Sequence, residues 1–124
     1  MKILVLDDEQ AVAEPLVELL NIKGQQAGIL VVTHSVTMDQ IIAEIRLDGI
    51  QAVIVDYRMP PFTGLQLLSC LSQEFPGLKL ILHSGEMSYD MAQEAIAYGA
   101  VPLSKPCKIQ TILSALEGVF EPID

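Results

Sequence analysis

An unbroken apolar run, Ala52-Val53-Ile54-Val55, ends at Asp56 and constrains the fold of this 124-residue chain more than any other feature. A strand that alternates apolar and polar residues has one wet face, whereas an unalternating run is typical of a parallel strand covered on both faces. Helices must supply that cover, so the run predicts a layered α/β fold. Asp56 then lies at the carboxyl end of a strand, where open α/β sheets bind their ligands.

Further strand-like runs alternate with segments of helical periodicity along the whole chain. The predicted strands are residues 2–6, 29–32, 52–55, 78–82 and 101–103, and the predicted helices are residues 10–22, 38–47, 65–75, 88–98 and 109–120. Glycine and proline predict loops at residues 24–28 and 59–64. Because crossovers between parallel strands are right-handed, all strands end at one edge. The pattern predicts an α/β fold with a five-stranded parallel sheet and five helices on both faces, a flavodoxin-like doubly wound (βα)5 domain spanning residues 1–124.

Two local features leave alternatives open. Pro15 either interrupts the first predicted helix or sits late in its first turn, since proline lacks the N–H of an interior helix residue. Either Ser35 or Thr37 caps the second helix, because both hydroxyls stand just before its apolar periodicity begins.

Composition limits the classes of function. Sixteen acidic residues against seven basic ones give a formal net charge of −9, which opposes direct binding to nucleic acid because that needs a surface rich in Lys and Arg. No apolar run approaches the ~20 residues of a membrane-spanning helix, and carboxylates interrupt the amino-terminal run too early for a signal peptide. We therefore expect a cytoplasmic protein without membrane association, in which Cys70 and Cys107 do not form a disulfide.

Polar side chains that carry chemistry follow four of the predicted strands. Asp7 and Asp8 follow the first strand, Asp56 the third, Ser84 the fourth and Lys105 the fifth. Each alone has an ordinary interpretation, such as a helix cap, a turn residue or a solvated lysine. Because the strand ends share one edge, the set predicts a common pocket. Carboxylates beside a lysine suit a hard divalent cation and a phosphoryl group.

Four segments of the chain resemble the receiver domain of two-component response regulators, of which the chemotaxis response regulator is the single-domain type. The segments are Leu6-Asp7-Asp8-Glu9, Val55-Asp56-Tyr57-Arg58-Met59-Pro60, Leu82-His83-Ser84-Gly85 and Ser104-Lys105-Pro106. They occur in order, each at a strand end, and the resemblance covers the whole chain. It implies a signalling phosphoacceptor rather than an enzyme.

The resemblance also implies partners. A histidine kinase or histidine phosphotransfer protein would supply the phosphoryl group. The modified domain would then change its affinity for a downstream protein target or a fused output domain. It would exist as a monomer or a weak homodimer.

The resemblance implies a role for each residue of the predicted pocket. Asp56 would be the nucleophile that forms an aspartyl-phosphate. Mg²⁺ would be held by the carboxylates of Asp8 and Asp56 and the backbone carbonyl of Arg58, with Asp7 acting through water. Lys105 would hold one phosphoryl oxygen as a point charge. The hydroxyl of Ser84 would donate to another phosphoryl oxygen.

Three further positions bear on how such a domain works. Arg58 and Glu86 lie two residues after Asp56 and Ser84, and we predict that they form an ion pair across the site entrance and slow hydrolysis. Pro102 lies where the family usually has an aromatic residue that swings inward, three residues before Lys105. Proline has no swinging side chain, so activation must be carried differently, for example by residues 84–88 and the helix after them.

Other functions stay open at this stage. Pro102 favours a receiver-fold interaction or dimerisation scaffold with weak or atypical phospho-switching. A flavodoxin-like flavin or nucleotide protein is disfavoured, because two carboxylates rather than a glycine-rich loop follow the first strand. Haloacid-dehalogenase-like phosphatases place a second aspartate two residues after the first, where this chain has Arg58 after Asp56.

Overall fold

The computed structural model of the chain describes residues 1–118 and shows a parallel five-stranded sheet between two layers of helices. The strands in chain order are β1 (Lys2–Asp7), β2 (Gln26–Val31), β3 (Ala52–Val55), β4 (Arg58–Met59), β5 (Phe62–Thr63), β6 (Lys79–Ser84) and β7 (Ala100–Ser104). The helices are α1 (Gln10–Ile22), α2 (Met38–Asp48), α3 (Gly64–Glu74), α4 (Tyr89–Ala97) and α5 (Ile109–Leu116). Strands β4 and β5 form a separate antiparallel hairpin. None of the helices within residues 1–118 is long and apolar enough to cross a membrane.

The order of strands in the main sheet is β2-β1-β3-β6-β7, and every neighbouring pair is parallel. The predicted doubly wound architecture is therefore confirmed. The chain runs from β1 to one edge of the sheet and then returns through β3 to the other edge. A sheet of this kind opens a crevice at the carboxyl ends of its central strands. Asp7 ends β1 and Asp56 follows β3, so both border that crevice.

Two apolar layers hold the central strand. All four residues of β3 are buried, as its lack of alternation predicts. Val53 and Val55 pack into the layer formed with α2, α3 and α4, whereas Ala52 and Ile54 pack into the layer formed with α1 and α5. Burying a Val or Ile side chain contributes about 1.5–3 kcal/mol. This packing on both faces fixes the position from which Asp56 leaves the strand.

Register explains the largest error in the predicted boundaries. The loop predicted for residues 24–28 is wrong in its second half, because β2 already begins at Gln26. Each residue of β1 from Lys2 to Asp7 has a partner in β2, starting with Lys2 opposite Gln26. Pairing along the full length of β1 outweighs the low strand propensity of Gly28. Strands β6 and β7 are likewise longer than predicted, because their pairing continues to Ser84 opposite Ser104.

The helix boundaries contradict both alternatives for Pro15 and decide which residue caps α2. Pro15 lies in the second turn of α1, which continues through it. Its position on the exposed side lets water satisfy the carbonyl that loses its partner. Thr37 rather than Ser35 caps α2: its hydroxyl accepts from the Gln40 N–H at 3.2 Å. The Gln40 side chain accepts in return from the Thr37 N–H at 2.7 Å.

Three smaller differences concern loops and helix ends. The loop predicted for residues 59–64 contains part of the β4–β5 hairpin and the first residue of α3. Ser88, predicted as helical, is instead the N-cap of α4. The last helix was expected to reach residue 120. The described part of α5 ends at Leu116, and residues 119 and 120 lie outside the described residues.

Gly64 begins α3 directly over the backbone of Asp56. A Cβ at this position would stand 2.3 Å from the Asp56 carbonyl oxygen and 3.0 Å from Cδ1 of Leu82. The Gly64 N–H donates to the Tyr57 carbonyl at 2.6 Å. Only a residue without a side chain allows this approach, which holds the segment after Asp56 against α3.

We expect Gly64→Ala to lower the free energy of unfolding by about 1–3 kcal/mol, because the added methyl must push backbone atoms apart. Urea unfolding followed by circular dichroism measures this change. Gly77→Ala is the matched control, because a Cβ there meets nothing within 4 Å and should change stability by less than about 0.5 kcal/mol. Equal stability of the Gly64→Ala and wild-type proteins would show that the contact relaxes without cost.

Candidate functional site

Asp56 stands immediately after β3 with its carboxylate held from two sides. Its Oδ1 accepts from the Tyr57 backbone N–H at 2.7 Å, and its Oδ2 accepts from the Lys105 ammonium at 3.0 Å. Its own N–H donates to the Leu6 carbonyl at 3.3 Å, which ties it to β1. The side chain is 21% exposed, so the anchored carboxylate is still accessible to an incoming group.

Lys105 links the ends of three strands. Its Nζ lies 3.0 Å from Oδ2 of Asp56 and 3.8 Å from Oδ2 of Asp7. Its backbone N–H donates to the Ser84 carbonyl at 2.9 Å, so the segment after β7 is fixed to the end of β6. The structure thus places Asp7, Asp56, Ser84 and Lys105 around one crevice.

Negative charge exceeds positive charge in this pocket. Asp7 is buried, with 5% of its surface exposed, and its Oδ1 accepts from the Glu9 backbone N–H at 3.0 Å. Burial is the main reason that the pKa of Asp7 is raised, and the carboxylates of Asp8 and Asp56 raise it further against the Glu9 hydrogen bond and the Lys105 charge. Asp8 itself is exposed. The pocket therefore favours additional positive charge.

The donor set fits a hard divalent cation. Mg²⁺ is usually bound by one or two protein carboxylates and keeps several waters. Within residues 1–118, no three His, Cys, Asp or Glu side chains are grouped closely enough to hold a metal by themselves. Asp7, Asp8 and Asp56 would thus form a partial set, which backbone carbonyl oxygens and water would complete. The metal-binding roles of these residues and of the Arg58 carbonyl stay predictions.

Ser84 ends β6 and is almost fully buried, at 1% exposure. Its Oγ accepts from the Glu86 N–H at 3.3 Å. That bond uses a lone pair and leaves the hydroxyl proton for another acceptor. Ser84 is therefore chemically able to donate to an anion bound in the crevice.

Arg58 and Glu86 form the ion pair that the sequence predicted. Nη2 of Arg58 donates to Oε2 of Glu86 at 2.9 Å, and Nε faces Oε1. The hydrogen bond from Arg58 lowers the pKa of Glu86. Both side chains are well exposed, at 75% and 43%, and such pairs contribute little to stability. The pair instead joins the segment after Asp56 to the segment after Ser84.

His83 also borders the carboxylate pocket, a cavity of about 40 Å³. Its Nε2 lies 3.8 Å from Sγ of Cys107. Burial lowers the pKa of His83 to about 4, with repulsion from Lys105 contributing and attraction to Asp56 opposing. The imidazole is therefore neutral near pH 7.

Sequence reasoning missed two contributions from the backbone. The Tyr57 N–H that binds Asp56 and the Gly64 approach that holds the same segment involve main-chain atoms. No side-chain pattern signals the first. The Pro/Gly content of residues 60–64 is the only signal for the second, and it was interpreted as a loop.

Comparison with known proteins places the chain among signalling regulators. The response regulator receiver domain family matches residues 3–117. An uncharacterized transcriptional regulatory protein of Bacillus subtilis, YesN, is 30% identical over 120 residues, covering 96% of this chain and 32% of that protein. The transcriptional regulatory protein FixJ of Azorhizobium caulinodans is 32% identical over 113 residues, covering 90% of this chain and 51% of that protein. The chain thus spans about a third to a half of these relatives.

A solved structure supports the same assignment. A response regulator protein from Burkholderia pseudomallei, crystallised with a phosphorylated aspartic acid, a calcium ion and citrate, superposes with a TM-score of 0.78 at 26% identity. The match covers 93% of this chain and 65% of that one.

His83 should make stability depend on pH. Its pKa falls from the ordinary 6.5 to about 4 on folding, so between these values the unfolded chain binds more protons. The contribution of His83 to the free energy of unfolding should therefore rise from pH 4 to pH 6.5, with a slope below the one-proton limit of about 1.4 kcal/mol per pH unit because the imidazole is partly exposed.

Urea unfolding of the wild-type and His83→Gln proteins across this range isolates the contribution. The difference in their free energies of unfolding should shift in favour of wild type as the pH rises and level off above pH 6.5. His34→Gln, at an exposed histidine, controls for loss of an imidazole. Parallel wild-type and His83→Gln curves would contradict the prediction.

Proposed function

Because this chain belongs to the response regulator receiver domain family, we propose that Asp56 is its phosphoacceptor. The observation that carries the proposal is the accessible Asp56 carboxylate at a strand end, 3.0 Å from the Lys105 ammonium and beside buried Asp7. Single carboxylates at strand ends are common. Here a neighbouring ammonium offsets the negative charge, which suits a carboxylate that must accept an anionic phosphoryl group.

The reaction is a phosphoryl transfer. A carboxylate oxygen of Asp56 forms a bond to phosphorus while the bond from phosphorus to the donor atom breaks, and the donor leaves with the electron pair. Lys105 is already within contact distance, so it can balance charge on the transferred group without a large movement. Mg²⁺ held by the Asp8 and Asp56 carboxylates and the Arg58 carbonyl, with Asp7 acting through water, would neutralise charge that builds up during transfer.

Ser84 would then respond to the phosphoryl group on Asp56 by forming a hydrogen bond to it. Donation of its hydroxyl to a phosphoryl oxygen is worth on the order of 1.5–3 kcal/mol as a charge-assisted bond. Because that bond exists only in the phosphorylated state, it can shift a two-state equilibrium. The same Oγ accepts from the Glu86 N–H, so the segment leading to α4 is the nearest element that a reoriented Ser84 would disturb. An interaction or dimerisation scaffold with weak or atypical phospho-switching is not favoured by the family assignment.

The partners follow from the family and remain proposals. We propose a histidine kinase or histidine phosphotransfer protein as phosphodonor. YesN and FixJ are transcriptional regulatory proteins longer than this chain. We therefore also propose a downstream target or a fused output domain. Direct contact of this chain with nucleic acid is not expected at a net charge of −9. A domain spanning residues 1–124, a monomer or weak homodimer, a cytoplasmic location and the absence of enzyme turnover stay predictions.

Phosphorylation of Asp56 can be tested directly by intact mass. Incubation with acetyl phosphate and Mg²⁺ should add one phosphoryl group per wild-type chain, and Asp56→Asn should abolish the addition because an amide is not a nucleophile here. Removal of Mg²⁺ with EDTA should prevent it as well. Asp48→Asn, at an exposed aspartate ending α2, should react like wild type. Full labelling of Asp56→Asn would refute the assignment.

The Arg58–Glu86 pair should slow loss of the phosphoryl group, because it spans the two segments that flank Asp56 and Ser84 and hinders water. We expect Arg58→Ala to shorten the half-life of the phosphorylated protein about two- to fivefold. The double variant Arg58→Ala/Glu86→Ala should show no further shortening, since the two side chains act as one unit.

The half-life is measured by decay of the phosphorylated mass after the donor is removed. Arg46→Ala provides the control, because it breaks a different exposed ion pair, with Glu74 at 2.9 Å. A half-life for Arg58→Ala equal to that of wild type would show that the ion pair does not slow hydrolysis of the phosphorylated aspartate.

A further inference from the structure

Among residues 1–118, strand β2 forms one edge of the main sheet and pairs with β1 alone. A cleft of about 400 Å³ lies beside the start of this strand, lined by residues of β1 and β2 together with Asn21 of α1 and Glu44 of α2. An exposed edge of this kind presents a row of backbone donors and acceptors, which is a template for pairing with another chain.

The hydrogen bonds at both ends of β2 identify the backbone groups that face outwards. Gln26 N–H donates to the Met1 carbonyl at 3.0 Å, and Val32 N–H donates to the Asp7 carbonyl at 2.8 Å. In a parallel ladder every second residue bonds to the same neighbour. The backbone groups of the even-numbered residues therefore face β1, and Ala27, Ile29 and Val31 direct their N–H and carbonyl groups away from β1, towards the unpaired side of the strand.

The side chains of β2 do not protect this edge. Its sequence, Gln-Ala-Gly-Ile-Leu-Val, has no charged residue and no proline, although charge and proline are the usual means of preventing edge pairing. A short, uncharged segment with β-branched residues is instead typical of strands that self-associate.

Asn21, near the end of α1, occupies the outer side of β2. Its Oδ1 accepts from the Ala27 N–H at 3.0 Å, and its Nδ2 donates to the Ala27 carbonyl at 3.1 Å. Nδ2 also donates to the Val17 carbonyl at 3.0 Å, which fixes the carboxamide against its own helix. The side-chain amide thus makes both hydrogen bonds that a residue of a neighbouring strand would make with Ala27.

We propose that the Asn21 carboxamide closes the outer edge of β2 and thereby prevents edge-to-edge pairing with a second copy of this chain. A second copy is the fitting partner because an uncharged strand meets no charge repulsion from its own duplicate. This protection of the β2 edge does not depend on phosphorylation or on Mg²⁺.

Sedimentation velocity over a concentration series in EDTA, without phosphodonor, tests the proposal. Wild type sets the reference, and Asn21→Ala should lower the apparent dissociation constant for self-association about tenfold or more, because two strand-like hydrogen bonds become available. Gln10→Ala is the matched control: that amide lies on the same helix but donates only to Glu14, at 2.8 Å. It should sediment like wild type.

A rescue variant separates edge pairing from general damage. The Cβ of a residue at position 28 meets no atom of the described part of the chain within 4 Å, so Gly28→Lys should be tolerated and should place a charge on the edge. The double variant Asn21→Ala/Gly28→Lys should return to the wild-type association state. A folded Asn21→Ala protein that sediments like wild type overturns the proposal, and so does an associated form that Gly28→Lys fails to dissociate.

Hydrogen exchange of the wild-type protein tests the closure even if Asn21→Ala does not fold. The Ala27 amide should exchange as slowly as the amides that face β1, whereas the Ile29 and Val31 amides should exchange at least tenfold faster. Rapid exchange at Ala27 would show that the carboxamide does not close the edge in solution.

Discussion

The carboxylates of Asp7 and Asp56 meet because parallel strands end at one edge, and the site depends on how their repulsion is balanced. Two unit charges 4 Å apart interact by about 4 kcal/mol at an effective dielectric of about 20. Lys105 offsets part of this by standing 3.0 Å from one carboxylate and 3.8 Å from the other. Apolar packing on both faces of β3 prevents the strand ends from relaxing apart. The fold therefore holds a charge arrangement that an added cation, or a phosphoryl group with its cation, can complete.

The two edge strands of the same sheet expose unpaired backbone groups, and a different feature protects each of them from pairing with another chain. At the β7 edge, the Lys105 N–H donates to the Ser84 carbonyl. By the alternation of a parallel ladder, the nitrogen of Pro102 then faces away from β6. Proline there costs no ladder bond and removes an edge donor. At the β2 edge, where the strand has neither charge nor proline, Asn21 takes that part. The edge position of β7 thus gives a physical reason why proline is tolerated at residue 102.

The chemistry of the site could be predicted from sequence more fully than its mechanics. Asp56, Ser84 and Lys105 were recognisable because each polar residue ends an apolar run, and topology alone then brings the ends together. The start of β2 could not be recognised from sequence, because it depends on the length of β1 rather than on the residues of the segment itself. The Tyr57 N–H and the capping of Ala27 by Asn21 were equally hidden, since both involve backbone groups whose direction only the register defines.

A chain of contacts from Ser84 offers a physical substitute for a swinging aromatic residue under the proposed function. Ser84 Oγ accepts from the Glu86 N–H, and the Glu86 carboxylate holds Arg58. Arg58 is two residues from Asp56, so the contacts close a loop around the phosphoacceptor. If the Ser84 side chain rotates to bring its hydroxyl to a phosphoryl oxygen, Oγ itself moves, so its bond from the Glu86 N–H would lengthen or reorient and the ion pair would shift with it. Under the proposed function, a phosphoryl group on Asp56 would in this way be linked to the ion pair and to the segment before α4 through one side-chain rotation.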